Sequence, residues 1–139
     1  MSTETIEVLL VKPMEKPRVI RMEDSLEAMQ EVVGGGLIEE YMPFMDPVAI
    51  VCNDEGKMRG FPLNRGIYDG NGSLMDIIAG DFFICYAPAD SEKFLSLPED
   101  LIRKYTKQFE HPERFVRTVD GLKAIKIAPY KEELERLTM

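Results

Sequence analysis

The feature that most constrains this chain is the tract at residues 41–85, where two apolar runs bracket a region rich in Gly, Asn, Asp and Arg. The runs at 47–52 and 79–87 have the length and the Val, Ile and Phe content of buried strands. Between them, polar turn residues would project from stiff strands, as they do in binding sites carried by a scaffold. The tract contains no recognised catalytic motif, so it predicts an architecture and leaves the activity open.

Strands are expected along most of the chain, because β-branched and aromatic runs are separated by turn residues. The pattern predicts strands at residues 6–11, 18–22, 37–41, 47–52, 58–63, 79–87, 115–119 and 122–128. Turns at 53–57 and 69–73 reverse the chain, and Gly56 is expected to adopt a positive φ in the first of them. The Asp120 and Gly121 pair predicts a tight hairpin between the last two strands.

Helices are predicted between these strands. Asp24 and Glu27 form a capping pair for a first helix that ends at Gly34. Ser96 and Glu99 form a second capping pair, ahead of a segment with one apolar face. Because hairpin connections dominate and strands do not alternate regularly with helices, we expect an α+β fold, a mainly antiparallel sheet with helices packed on one face.

Length and composition predict a single domain over residues 1–139, with 45% hydrophobic and 30% charged residues. The net charge of -8 opposes binding to duplex nucleic acid. No apolar run approaches the roughly 20 residues of a membrane span, and residues 1–12 lack the features of a signal peptide. We therefore expect a cytoplasmic protein with no duplex nucleic acid and no membrane as partner.

The C-terminal residues predict a short helix from about residue 129, with an apolar stripe of Tyr130, Leu134 and Leu137. The stripe has to be buried, either on the chain's own core or in a symmetric contact with a second copy. The sequence is thus compatible with a monomer or a homodimer.

Several familiar site patterns fail on their chemistry. The glycine triplet at 34–36 follows a helix and lacks the Lys-Ser or Lys-Thr pair of a phosphate loop. The loop at 69–73 lacks the glycine and the bidentate glutamate of a calcium loop. His111 has no accompanying nucleophile motif, and Cys52 and Cys85 match no zinc or redox spacing, which favours buried free thiols. No catalytic residue, metal or cofactor is predicted.

Polar residues beside the predicted strands are the candidate binding residues. They are Asn53, Asp54, Lys57, Asn64, Arg65 and Asp76. Arg65 could form a bidentate contact with a carboxylate or phosphate of a ligand, or pair with Asp76 or Asp81 to hold the loops together. The carboxylates of Asp54, Asp69, Asp76 and Asp81 could serve in acid–base catalysis, but aspartate is a common turn residue. An enzyme is therefore the less favoured reading.

Three linked segments, GGLIEEYMPFMDPVAIVCNDEGKMRGFPLNR, DGNGSLMDIIAG and FFIC, closely resemble an uncharacterised family known as a domain of unknown function, serial three-eight-four-six. The resemblance runs from about residue 5 to 115, and the C-terminal hairpin and helix at 115–139 depart from the pattern. It implies a compact domain of bacteria, phages or other mobile elements, and it transfers no catalytic residue.

These observations predict a noncatalytic binding or regulatory module that contacts a protein partner through the loops at 53–57 and 64–76. The alternative is a counter-defence protein that sequesters a small anionic ligand such as a nucleotide signal, using Arg65, Lys57 and backbone amides as donors. An uncharacterised enzyme is the third possibility.

Overall fold

The computed structural model describes residues 4–127. Its elements are β1 Thr5–Val11, β2 Arg18–Glu23, α1 Leu26–Val32, β3 Ile38–Tyr41, β4 Val48–Asn53, β5 Leu63–Tyr68, β6 Leu74–Ala79, β7 Phe82–Tyr86, α2 Glu99–Gln108, β8 Glu113–Thr118 and β9 Gly121–Lys126. Every strand pair among these residues is antiparallel, which confirms an α+β fold built mainly on antiparallel sheet. The predicted C-terminal helix lies outside the described residues.

The core is built on a five-stranded sheet in the order β2-β1-β7-β4-β3. Its central strands are apolar on both faces because β4 and β7 carry continuous runs of Val, Ile, Phe and Cys. On one face, Leu9, Ile50 and Ile84 pack with Tyr105 and Phe109 from α2 and its C-terminal end. The β5–β6 hairpin contributes to the same cluster.

The opposite face of the sheet packs against α1. Leu10, Val51 and Phe83 lie in a second cluster with Met29 and Val33. The two helices therefore cover opposite faces, and the expectation that both pack on one face is wrong. The reason is that alternate side chains of a strand point to opposite faces, so central strands that are apolar throughout need cover on both sides.

The end of α1 follows the predicted glycine cap. Gly34 N donates to Glu31 O at 3.2 Å and Gly35 N donates to Gln30 O at 2.7 Å, with φ of 98° and 87° at the two glycines. This is the Schellman arrangement, which satisfies the last carbonyls of a helix. At the other end the capping side chain is Ser25, which accepts a hydrogen bond from Ala28 N, and not the predicted Asp24.

The α2 helix is confirmed, but its predicted cap is wrong. Pro98 occupies the N-cap position without a side-chain hydrogen bond. The hydroxyl of Ser96 instead accepts a hydrogen bond from Glu7 N at 2.9 Å. The serine therefore joins the segment before α2 to the first half of β1.

The largest error of the sequence-based prediction lies at residues 54–68. The predicted strand at 58–63 is wrong, because residues 54–60 form turns in which Arg59 N donates to Glu55 O at 2.8 Å. Gly60, with φ of 74°, supplies the positive φ expected at Gly56. Gly56 is required for a different reason: a Cβ there would lie 2.7 Å from Ala79 O.

In place of the predicted strand at 58–63, β5 begins at Leu63. β5 and β6 form a separate two-stranded hairpin around the turn at 69–73. Most of the predicted 64–76 loop is therefore strand. The hairpin predicted around Asp120 and Gly121 is confirmed as β8–β9, a third small sheet whose strands contribute no residue to either core cluster. None of the helices within residues 4–127 is long and apolar enough to cross a membrane.

Candidate functional site

Arg65 is buried on β5 and bonded to the chain itself. Its Nε and Nη2 donate to Phe109 O at 3.2 and 3.0 Å, and Nη2 also donates to Glu15 O at 2.6 Å. The expected pairing with Asp76 or Asp81 is wrong, and the side chain has no exposed surface for a ligand. Burial lowers the pKa of Arg65 to about 10, and the nearby Glu113 opposes that shift. Arg65 therefore fastens the end of α2 and the turn after β1 to β5.

Asn64 acts beside it as a second internal fastener. Its Nδ2 donates to Val11 O at 2.9 Å and to Gly80 O at 2.8 Å, while its Oδ1 accepts from Arg65 Nη1 at 2.8 Å. These bonds satisfy three buried polar groups from separate parts of the chain, which is the usual condition for burying an amide. Two of the six candidate binding residues are thus structural.

The other four candidates, Asn53, Asp54, Lys57 and Asp76, line one cleft of about 260 Å³ between β4, the turns at 54–60 and β6. Asn53 is buried, donates to Val33 O and Gly35 O, and accepts from Glu55 N, so it shapes the cleft wall. Lys57 Nζ and Asp76 Oδ1 form an exposed ion pair at 2.8 Å. The structure brings together these four residues and separates them from Asn64 and Arg65.

The ion pair divides this cleft from a second concavity of about 360 Å³, since Lys57, Asp76 and Ile77 line both. Large apolar side chains are exposed on either side of it. Met58 is 88% exposed, Met75 is 64% exposed and Leu63 is also exposed. We call the surface formed by Lys57, Met58, Leu63, Met75 and Asp76 the 57–76 surface.

A larger groove of about 1030 Å³ lies between α2, the loop at 43–46 and the two small hairpins. At one side, Tyr105 Oη donates to Asp46 Oδ2 at 2.7 Å, and Lys104 pairs with the same carboxylate. The hydrogen bond from Lys104, followed by that from Tyr105, holds the pKa of Asp46 below its usual range. Burial and the bond to Asp46 raise the pKa of Tyr105. This set fastens the 43–46 loop to α2.

The other side of the groove carries a similar pair. Tyr68 Oη donates to Glu113, whose second oxygen accepts from Gly66 N at 3.4 Å. Burial, and then the bond to Glu113, raise the pKa of Tyr68. Sequence reasoning missed both tyrosine–carboxylate pairs, because their members lie 45 and 59 positions apart and no local pattern links them.

The chemistry available in these places is limited. A tyrosine with a raised pKa that donates to a carboxylate is a poor base, and burial raises the pKa of both Cys52 and Cys85 to about 12. Asp69 accepts from Asn71 N and Ser73 N, so it is the turn residue that the sequence indicates. Asp81 lies outside the cleft, 3.9 Å from Lys12 Nζ. Within residues 4–127, no three His, Cys, Asp or Glu side chains are placed to hold a metal ion.

The comparisons with known proteins point to a family without assigning an activity. Residues 6–110 match the family described as Domain of unknown function (DUF3846). A search of the curated proteins and a search of the solved structures each found no match. The match includes both helices and the 57–76 surface, and it ends before β8.

Proposed function

The chain belongs to this family of domains of unknown function, and we propose that it is a noncatalytic, cytoplasmic binding module that contacts a protein partner through the 57–76 surface. The observation that carries the proposal is the exposure of Met58, Met75 and Leu63 around the Lys57–Asp76 ion pair. The surface takes in Lys57 at the end of the predicted 53–57 loop, and Met75 and Asp76 at the end of the predicted 64–76 segment.

Neighbouring exposed apolar side chains are typical of a protein interface. Isolated exposed hydrophobic residues are ordinary, but neighbouring ones mark sites where another molecule excludes water. Methionine suits such a surface because its unbranched, polarisable side chain adapts to the shape of a partner. The backbone beneath Met58 is fixed by the hydrogen bonds of the 54–60 turns, and Met75 lies on a paired strand. Little backbone ordering would therefore oppose binding.

The charge of the cleft favours a protein over a small anion. Glu39, Asp54 and Asp76 contribute three carboxylates, whereas Lys57 is the one basic residue among the described residues that line it. Lys57 is already paired with Asp76, and Arg65 is buried elsewhere. An anionic nucleotide would thus meet a surface of its own sign, with neither of the expected side-chain donors free.

Site-specific photocrosslinking in the source cells tests this proposal. A photoreactive residue at position 58 or 75 should give the same protein adduct, and one at Met45, which is also fully exposed, should not. Adding Met75→Asp to the position 58 probe should abolish the adduct without changing the Tm. Adducts that are equally frequent at position 45, or that survive Met75→Asp, would remove the support for the 57–76 surface.

A further inference from the structure

The β8–β9 hairpin differs in charge from the rest of the chain. Its residues, Glu113–Lys126, contain four basic and two acidic side chains, in a protein whose net charge is -8. Arg114 and Lys123 are exposed, and neither forms an ion pair with any residue in the described part of the chain. The family match ends at residue 110, so this basic element lies outside the matched region.

One face of the hairpin alternates positive and apolar side chains. Arg114 lies opposite Ile125, and Val116 lies opposite Lys123. Because directly opposed residues of an antiparallel pair share a face, these four side chains form one surface. Ile125 is 49% exposed, and Val119 in the turn is fully exposed. The apolar residues of this surface are therefore not explained by packing within residues 4–127.

The hairpin also has an unpaired edge. Among the described residues, β9 pairs with β8 alone. Ile127 N donates to Pro112 O at 2.8 Å. In an antiparallel pair, alternate residues direct their backbone groups toward the partner strand, and the residues between them direct theirs away. The N–H and C=O groups of Leu122, Ala124 and Lys126 therefore point away from β8. A two-stranded hairpin is marginal by itself, and a third strand would complete it.

We infer that the outer edge of β9 binds an extended acidic peptide segment of a partner protein, with its carboxylates next to Lys123 on β9 and within reach of the long Arg114 side chain on β8, and its apolar side chains beside the exposed residues of the hairpin. Main-chain hydrogen bonds to Leu122, Ala124 and Lys126 would add it as a third strand. The positive charge of the hairpin favours a ligand with carboxylate groups. The backbone edge of β9, which is unpaired among the described residues, favours a polypeptide because it can form main-chain hydrogen bonds.

Other polyanions fit the same surface less well. Single-stranded nucleic acid is held largely by stacking on aromatic side chains, and the face formed by Arg114, Val116, Lys123 and Ile125 has none. The overall charge of -8 also opposes approach to nucleic acid or to an anionic membrane, whose charge extends far beyond the hairpin. A short acidic segment can contact the basic hairpin without lying against the acidic remainder of the protein.

The test uses the full chain and a short labelled peptide of alternating glutamate and valine, long enough to pair with the whole of β9. Fluorescence anisotropy should show binding that weakens with salt, and a lysine–valine peptide should not bind. Arg114→Glu with Lys123→Glu should weaken binding by about tenfold or more, because two attractions become repulsions. The matched control, Lys93→Glu with Arg103→Glu, makes the same charge change at exposed side chains outside the hairpin and should have little effect.

A backbone variant keeps the inference testable if the charge reversals perturb folding. Ala124→Pro removes an outward N–H, which an edge strand tolerates, and should abolish peptide binding while the circular dichroism spectrum is retained. Met75→Asp should leave peptide binding unchanged, which separates this inference from the proposed function. The inference is overturned if the glutamate–valine peptide does not bind, or if the lysine–valine peptide binds equally well. It is also overturned if the Ala124→Pro variant binds the glutamate–valine peptide as tightly as the parent protein does. Stronger binding of oligothymidylate or phosphatidylserine vesicles would overturn it too, as would self-association of the chain that Ala124→Pro abolishes.

Discussion

Replacing Arg65 by methionine should destabilise the fold by about 3 kcal/mol, a large part of the 5–15 kcal/mol typical of a domain. The change leaves Phe109 O, Glu15 O and Asn64 Oδ1 without their guanidinium donor. At about 2 kcal/mol for each of the two buried acceptors, Phe109 O and Asn64 Oδ1, and about 1 kcal/mol for each of the part-buried Glu15 O and Lys12 O, the loss is roughly 6 kcal/mol. The pKa of Arg65 is lowered from 12.5 to about 10, so keeping this buried group charged costs the folded protein about 3 kcal/mol. Methionine carries no charge and avoids that cost, which leaves a net loss of about 3 kcal/mol.

Urea unfolding monitored by circular dichroism measures this difference, with Arg59→Met as the matched control. Arg59 also donates to a backbone carbonyl, Gly35 O at 2.6 Å, and its guanidinium lies 4.6 Å from the centre of the Phe61 ring. It is exposed, however, so its carbonyl partner can turn to water. Its replacement should cost less than about 1 kcal/mol. Both arginines donate to backbone carbonyls, and only Arg65 is buried, so the difference between the two variants reports the cost of leaving buried acceptors unpaired.

A cost of less than about 1 kcal/mol for Arg65→Met, or one no larger than that of Arg59→Met, would refute this prediction, because unpaired buried acceptors would then carry no substantial penalty. Arg65→Lys should also destabilise the protein, since a single ammonium group cannot reproduce the planar fork that reaches Phe109, Glu15 and Asn64 together. Stability unchanged in either variant, with loss of partner binding, would instead return Arg65 to the functional residues.

Three further predictions concern the interior and the groove. Asn64→Ala should lower the free energy of unfolding by about 4 kcal/mol in urea unfolding, because the two buried acceptors Val11 O and Gly80 O lose their shared donor; a change within about 0.5 kcal/mol would contradict this. The pKa of Asp46 is lowered in the fold, so its stabilising effect is present above the ordinary carboxyl pKa and is lost as the pH falls through the folded value. Asp46→Asn should therefore lower the free energy of unfolding at neutral pH, and in acid the variant and the parent protein should be equally stable. An equal loss of unfolding free energy at both pH values would exclude this linkage. Burial raises the pKa of Cys52 and Cys85 to about 12, so iodoacetamide near neutral pH should label neither thiol before urea unfolds the chain, and rapid labelling of the native protein would refute their burial.

Sequence patterns predicted most of the central sheet because burial there depends on local composition. The apolar runs of β1, β4 and β7 and the two free buried cysteines are all found as expected. The helices were located correctly, but their placement on opposite faces was not foreseen. It follows from strands that are apolar at every position, a pattern that is typical of a sheet covered on both sides.

The β5 strand was missed because its polar residues resemble a loop. Asn64 and Arg65 are stable inside the protein because backbone carbonyls, several of them more than forty positions away in sequence, accept their hydrogen bonds. Local propensity contains no information about those partners. For the same reason, the sequence identified Asn53, Asp54, Lys57 and Asp76 as polar residues near strand ends, but could not show that they line a single cleft.

The hairpin at the C-terminal end of the described residues is subject to a different constraint from the rest of the fold. Its firm attachment is Glu113, which bonds Tyr68 and Gly66 on β5 within the matched family region. Beyond that attachment, its strands contribute to neither core cluster, so packing within residues 4–127 does not dictate the residues at positions 116, 119, 123 and 125. Solubility would favour polar residues at exposed positions, yet three of these four are Val or Ile. Among the described residues, these apolar side chains lie beside basic ones that have no ion-pair partner, on an edge strand; the inferred binding to another polypeptide accounts for them better than the stability of residues 4–127 does.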